Sequence, residues 1–186
     1  MNFTVLPRLS VWGLMLLLAV AYMPPAHVYA APLPNASVES PKRPNLDELV
    51  RTSDIVVFGR FDTSHQSKTL RRRVEAGTLV NYNQNFHVFK YIKGFGPKVL
   101  SVVSTGIEPM PDPDNPWNEV YPGPMAEGMY ICFLTKGESP YYYINGRWQG
   151  VYPVRDGKTI ALSGAGFAEL NGLTMAQTEE KVKAIR

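Results

Sequence analysis

A single cysteine, Cys132, in a chain of 186 residues leaves no partner for an intramolecular disulfide. Histidine is nearly as scarce, and only His65 and His87 follow residue 31. There is no His-x-x-x-His spacing, no cysteine pair and no His-Glu-x-x-His, so the sequence offers no ligand set for a zinc centre. The Gly-x-Ser-x-Gly nucleophile elbow is absent. No phosphate-loop lysine follows Ser163-Gly164-Ala165-Gly166, which reads as a turn. Cys132 lies between Ile131 and Phe133, an apolar setting that predicts an inert thiol rather than a nucleophile. The expectation is a protein with no catalytic residues, no metal and no cofactor. The net charge of +3 includes Arg8, the one charged residue before Ala31, so the remainder is too weakly basic to imply a nucleic-acid partner.

Long hydrophobic runs are missing as well. The longest, Val11 to Tyr22, falls well short of the ~20 residues that span a bilayer. It follows Arg8 and precedes Pro24-Pro25 and Val28-Tyr29-Ala30, the pattern of a cleavable export signal with small residues at the cut. Residues 1–30 are therefore expected to be a signal peptide cleaved between Ala30 and Ala31. The product would be extracellular, with no transmembrane anchor. A secreted domain without disulfides points to a bacterial source, in the cell envelope or the medium.

What remains is rich in proline and aromatics. Residues 31–44, APLPNASVESPKRP, read as a flexible linker. Residues 45–186 have the length of one domain with its own core. Asn45 and Glu48 predict a short capped helix. Asp54 to Phe61 reads as a central strand, with Gly59 marking a bulge. Residues 62–78 are polar and read as an extended loop or an exposed hairpin end. Strands are expected over 83–93, 99–104 and 129–135, with a proline-rich irregular connection over 106–128. Asn145-Gly146 and Asp156-Gly157 are two-residue hairpin signals. Thr174 and Gln177 open a terminal helix with Met175, Val182 and Ile185 on one stripe. The fold class expected is mainly β: a small closed or partly open Greek-key (OB-like) barrel of five or six strands, with a short helix near each end.

Three motifs resemble a known family. Ser53-Asp54-Ile55-Val56-Val57 is followed by a strand ending in Lys93-Gly94, and then by Gly128-Met129-Tyr130-Ile131-Cys132-Phe133-Leu134. Together with the C-terminal Leu173-Thr174 helix, this spans about residues 45–185. It resembles the N-terminal domain of tissue inhibitors of metalloproteinases, netrin-like modules and bacterial secreted relatives. The resemblance implies an OB-like barrel that acts by binding. It departs from the inhibitors at the mature N-terminus, where they carry a zinc-chelating cysteine and this chain carries a proline-bearing segment, so their inhibitory residues do not transfer.

Two surfaces are candidates for binding. Arg71, Arg72 and Arg73, with Lys68, could contact an anionic envelope polymer. Tyr141, Tyr143, Trp148 and Tyr152 sit in adjacent predicted strands and could form an aromatic face for sugar rings or a peptide, with Trp117 and Tyr121 extending it. Asp112, Asp114, Asn115 and Glu119 form an acidic loop whose spacing is no EF-hand. The function expected is a secreted, non-catalytic binding module for an extracellular protein or envelope polymer. A protease-inhibitor-like barrel and a hydrolase built on Cys132 or the acidic loop are the alternatives.

Overall fold

A computed structural model describes residues 31–185. The predicted signal peptide, including Ala30, lies outside the described residues. No helix among them is long and apolar enough to cross a membrane.

Helix α1, Leu46–Thr52, starts where predicted: Asn45 caps it by accepting from the Glu48 backbone N–H. Strand β1 runs Ile55–Val74, β2 Gly77–Lys93 and β3 Val99–Glu108. A single helical turn, α2, Trp117–Val120, interrupts the proline-rich connection. Strand β4 is Gly128–Lys136, β5 Tyr141–Ile144, β6 Val151–Arg155 and β7 Lys158–Thr159, and helix α3 is Met175–Ala184.

Five strands close into a ring in the order β1-β2-β3-β5-β4 and back to β1. Every pairing in the ring is antiparallel except β3 with β5. It is not a regular barrel, because β6 and β7 extend the sheet from β4. Inside, Ile55, Val57, Phe61, Phe86, Leu100, Cys132 and Leu134 form one core. The opposite faces of β1 and β4 carry Val56, Ile131 and Phe133, and these are covered by Leu49 of α1, Val182 of α3 and Tyr152. Both faces of β1 are thus buried, as its double apolar pattern requires. Gly59 sits at a register shift, and a Cβ there would lie 2.2 Å from the His87 carbonyl oxygen, so the bulge depends on glycine.

Two of the short motifs, Ser53-Asp54 and Lys93-Gly94, have structural work here. Ser53 bonds back to the Leu49 carbonyl, and Asp54 accepts from the Lys136 backbone N–H at 2.7 Å. The Lys93 ammonium donates to the Val50, Arg51 and Ser53 carbonyls, closing the C-terminal end of α1. Gly94 turns away at φ 74°.

Three expectations need correction. First, residues 62–74 are strand, not loop: β1 and β2 continue past the ring as an antiparallel pair ending in a tight turn at Glu75-Ala76, so the exposed hairpin end is the correct alternative. β3 follows β2 to Glu108, giving a three-stranded extension. Second, Asn145-Gly146 does not close a hairpin. β5 and β6 run along the same edge of β4, pairing with Leu134–Lys136 and Tyr130–Cys132 respectively. The positive φ of Gly146 (73°) and Arg147 (59°) instead throws out a 3₁₀ turn, Arg147–Gly150, between them. Asp156-Gly157 does make the predicted reversal, with both residues at positive φ between β6 and β7.

Third, the proline-rich stretch before α1 is not a free linker. It has no regular structure, but Leu33 is buried and the chain is tied down along its length. Asn81 donates to the Pro34 and Ala36 carbonyls, and Val38 N–H donates to Thr105 Oγ1 at 2.7 Å. Gly146 N–H donates to Ser40 Oγ, and the Arg43 guanidinium makes two bonds to the buried Asn145 side chain at 2.8 and 2.7 Å. The Asn145 amide in turn donates to Leu49 O, Thr52 Oγ1 and Ser53 Oγ. Polar side chains of Ser, Arg and Lys among the prolines signalled disorder by composition. They are the anchors of a strap.

Candidate binding site

The expected aromatic face does not form. Tyr152 is fully buried, with its ring edge-to-face against Phe133 and its hydroxyl accepting from the Phe167 N–H at 3.0 Å. Tyr141 is buried as well, and Tyr143 packs beside Gly137. The row required a β5–β6 hairpin, and the 3₁₀ turn removes the register that would have aligned it. Trp117 and Tyr121 stack on each other at 5.9 Å, in the small core of the three-stranded extension with Leu70, Leu79 and Ile107. Of the four expected residues, Trp148 lines a cleft.

That cleft has a volume of about 560 Å³ and is formed by four stretches far apart in sequence, one of them Lys42 of the strap. The acidic loop supplies Asp114, Asn118 and Glu119, the 3₁₀ turn supplies Arg147 and Trp148, and the Leu162–Ala165 turn closes the third side. The walls are braced. Trp148 Nε1–H donates to the Asn118 carbonyl at 2.8 Å, and the Asn118 amide donates to the Asp112 carbonyl at 2.7 Å. Gln149 is clamped to the backbone of Arg43 by both ends of its amide. Arg147 Nε donates to the Ser40 carbonyl at 2.9 Å. Lys42 pairs with Glu119 at 2.7 Å, and that bond and charge hold the Glu119 carboxyl below the usual range. The sequence marked Trp148, the acidic loop and the Ser163 turn separately. Arg147 and Lys42 were missed, because one lay in an assumed hairpin and the other in an assumed linker. Among the described residues no group of three His, Cys, Asp or Glu side chains converges as a metal site.

Arg71, Arg72 and Arg73 lie near the end of β1, on the three-stranded extension. A strand alternates its side chains between faces. Here the register shift between Thr69 and Arg73 adds residues to β1, so Leu70 turns into the small core while all three arginines are exposed. Arg72 pairs with Glu39 of the strap at 2.6 Å. The Tyr121 hydroxyl, then Arg72 and Ser37, donate to the Glu39 carboxylate and hold its pKa below the usual value. Arg71 and Arg73 have no hydrogen-bond or ion-pair partner among the described residues.

Cys132 is completely buried inside the ring, and burial pushes its thiol pKa up, which opposes thiolate formation. His87 is half-exposed and its Nε2 lies 2.9 Å from Asp62 Oδ2, some distance along the sheet from the cysteine's interior position. The Asp62 carboxyl is held low first by the Ser64 hydroxyl and then by His87. No protein-family model, curated protein or solved structure matches this chain.

Proposed function

We propose that the chain is an exported, non-catalytic binding module that recognises an anionic polymer of the cell envelope through the arginine end of the β1–β2 hairpin. The observation that carries this reading is the exposure of three consecutive arginines on a strand, two of them unpaired among the described residues. A strand would ordinarily hide every second side chain, so the bulge gathers charge that alternation would divide. Guanidinium groups bind phosphate in a bidentate manner and stay charged at any physiological pH. The export-signal pattern of residues 1–30 supports this reading, because anionic wall polymers lie outside the cytoplasm.

The OB-like reading of the ring belongs to the same proposal. It draws support from the β1-β2-β3-β5-β4 order and the parallel β3–β5 pair. The test is binding to polyglycerol phosphate, measured with the protein and with an Arg71→Ala, Arg72→Ala, Arg73→Ala variant. The triple variant is expected to bind at least about tenfold more weakly, and 1 M salt to abolish binding by shrinking the screening length to ~3 Å. Binding that is unchanged in the variant would refute the arginine surface. Binding to a neutral polymer alone would refute the anionic ligand.

A further inference from the structure

We infer that the cleft walled by Asp114, Arg147, Trp148 and Ser163 is a second binding site, and that it takes a neutral oligosaccharide. Its size, about 560 Å³, falls within the range of roughly 300–1,000 Å³ typical of ligand pockets.

The chemistry of the walls selects the ligand. The Asn118 side-chain NH₂ and both ends of the Gln149 amide are spent on bracing the loops. The polar groups left for a ligand include the Asp114 carboxylate, the Asn115 side-chain NH₂, the Asn118 side-chain oxygen, the Ser163 hydroxyl and the terminal nitrogens of Arg147, together with the outer side of the Lys42–Glu119 pair. Two cations and two anions balance, so the cleft has no net preference for a charged ligand. It offers both donors and acceptors around an apolar lining of Trp148, Pro113, Pro116 and Leu162. A sugar ring has the matching character. It presents a C–H face that packs on an indole, with hydroxyls at its rim that both donate and accept. A phosphate polymer, in contrast, gains no net attraction here, because the two cations are offset by two carboxylates.

The site is pre-formed. The bond from Trp148 Nε1–H to the Asn118 carbonyl fixes the indole against the loop, so binding does not have to order it. The same bond makes the indole N–H a reporter inside the site.

The experiment is a titration of isotope-labelled protein with chitotetraose and with cellotetraose, following the Trp148 indole N–H resonance. Tetra-alanine serves as a peptide control. Expected is a saturable shift of that resonance by one of the sugars at concentrations up to about 10 mM, a weak affinity normal for a single short site. Asp114→Ala and Ser163→Ala change exposed side chains, so their unliganded spectra should match the parent. Each should weaken the sugar about tenfold, the usual scale for one polar contact. The arginine triple variant should bind the sugar unchanged, which separates this site from the polymer surface. Absence of any saturable shift with either sugar, or a shift with tetra-alanine alone, would overturn the inference. So would full affinity in both cleft variants.

Discussion

The ring and the three-stranded extension use the same strands in opposite ways. In the ring, Ile55 to Phe61 of β1 is paired on both edges, with β2 on one side and β4 on the other, and is covered on both faces. Past Phe61 the same strand keeps only β2, and its interior neighbours shrink to the Leu70, Leu79, Ile107 and Tyr121 cluster. The composition follows the environment. The ring half is IVVFGRF, and the outer half carries His65, Lys68 and the three arginines. One strand thus passes from buried core to exposed, charged surface. A free edge there is guarded by like charges, a known device against edge-to-edge association.

The comparison predicts unequal consequences for equal truncations. Phe86, fully buried in the ring and edge-to-face with Phe61 at 4.8 Å, should be the most costly. Phe86→Ala is expected to lose about 4 kcal/mol, enough to threaten a domain of this size. Urea unfolding should show one earlier transition for all probes. Leu79 is just as buried but sits in the small extension core. Leu79→Ala should cost about 2–3 kcal/mol. Native-state hydrogen exchange should then accelerate for amides around residues 70–80 while Ile131 to Leu134 keep their protection. Equal acceleration at both places would break the distinction and make the molecule a single cooperative unit.

The smallest effect is electrostatic. Glu179 of α3 accepts from Lys183 and from Lys90 of β2, and these bonds pull its pKa down to about 2. A carboxylate held low in the folded state stabilises it above the ordinary pKa of about 4.5, and that contribution fades as pH falls toward 2. Glu179→Gln should therefore flatten part of the fall in Tm between pH 4.5 and pH 2, with little change at neutral pH beyond the lost exposed pairs. A Tm profile parallel to the parent's would show that the clamp on the ring contributes nothing.

Much of the fold was legible because its signals are local. The apolar alternation of β1, the Asn45 and Thr174 caps and the Asp156-Gly157 turn can each be read within a few positions, and Gly59 marked its bulge although the residue it accommodates, His87, lies on β2. The rest depends on partners far along the chain. Asn145-Gly146 has the chemistry of a hairpin, but the buried Asn145 side chain answers to Arg43, Thr52 and Ser53, and no local pattern reveals that. The candidate cleft was legible only in pieces. Trp148, the acidic loop and the Ser163 turn were each visible. Their meeting depends on how β5 and β6 pair with β4 and how the strap docks on the 3₁₀ turn between them.

The strap also sets an order of assembly. Its bonds from Arg43 and from Ser40 reach residues 102 to 107 positions later, around Asn145 and Gln149. Those partners are in place only once β4, β5 and the 3₁₀ turn exist. A chain synthesised N-terminus first must therefore carry this segment undocked until most of the domain has followed, and closing such a long loop is slow. The prolines of Pro32, Pro34, Pro41 and Pro44 restrict what it can do meanwhile, since they cannot supply a full row of strand donors. A segment made early thus becomes a late fastening of the fold.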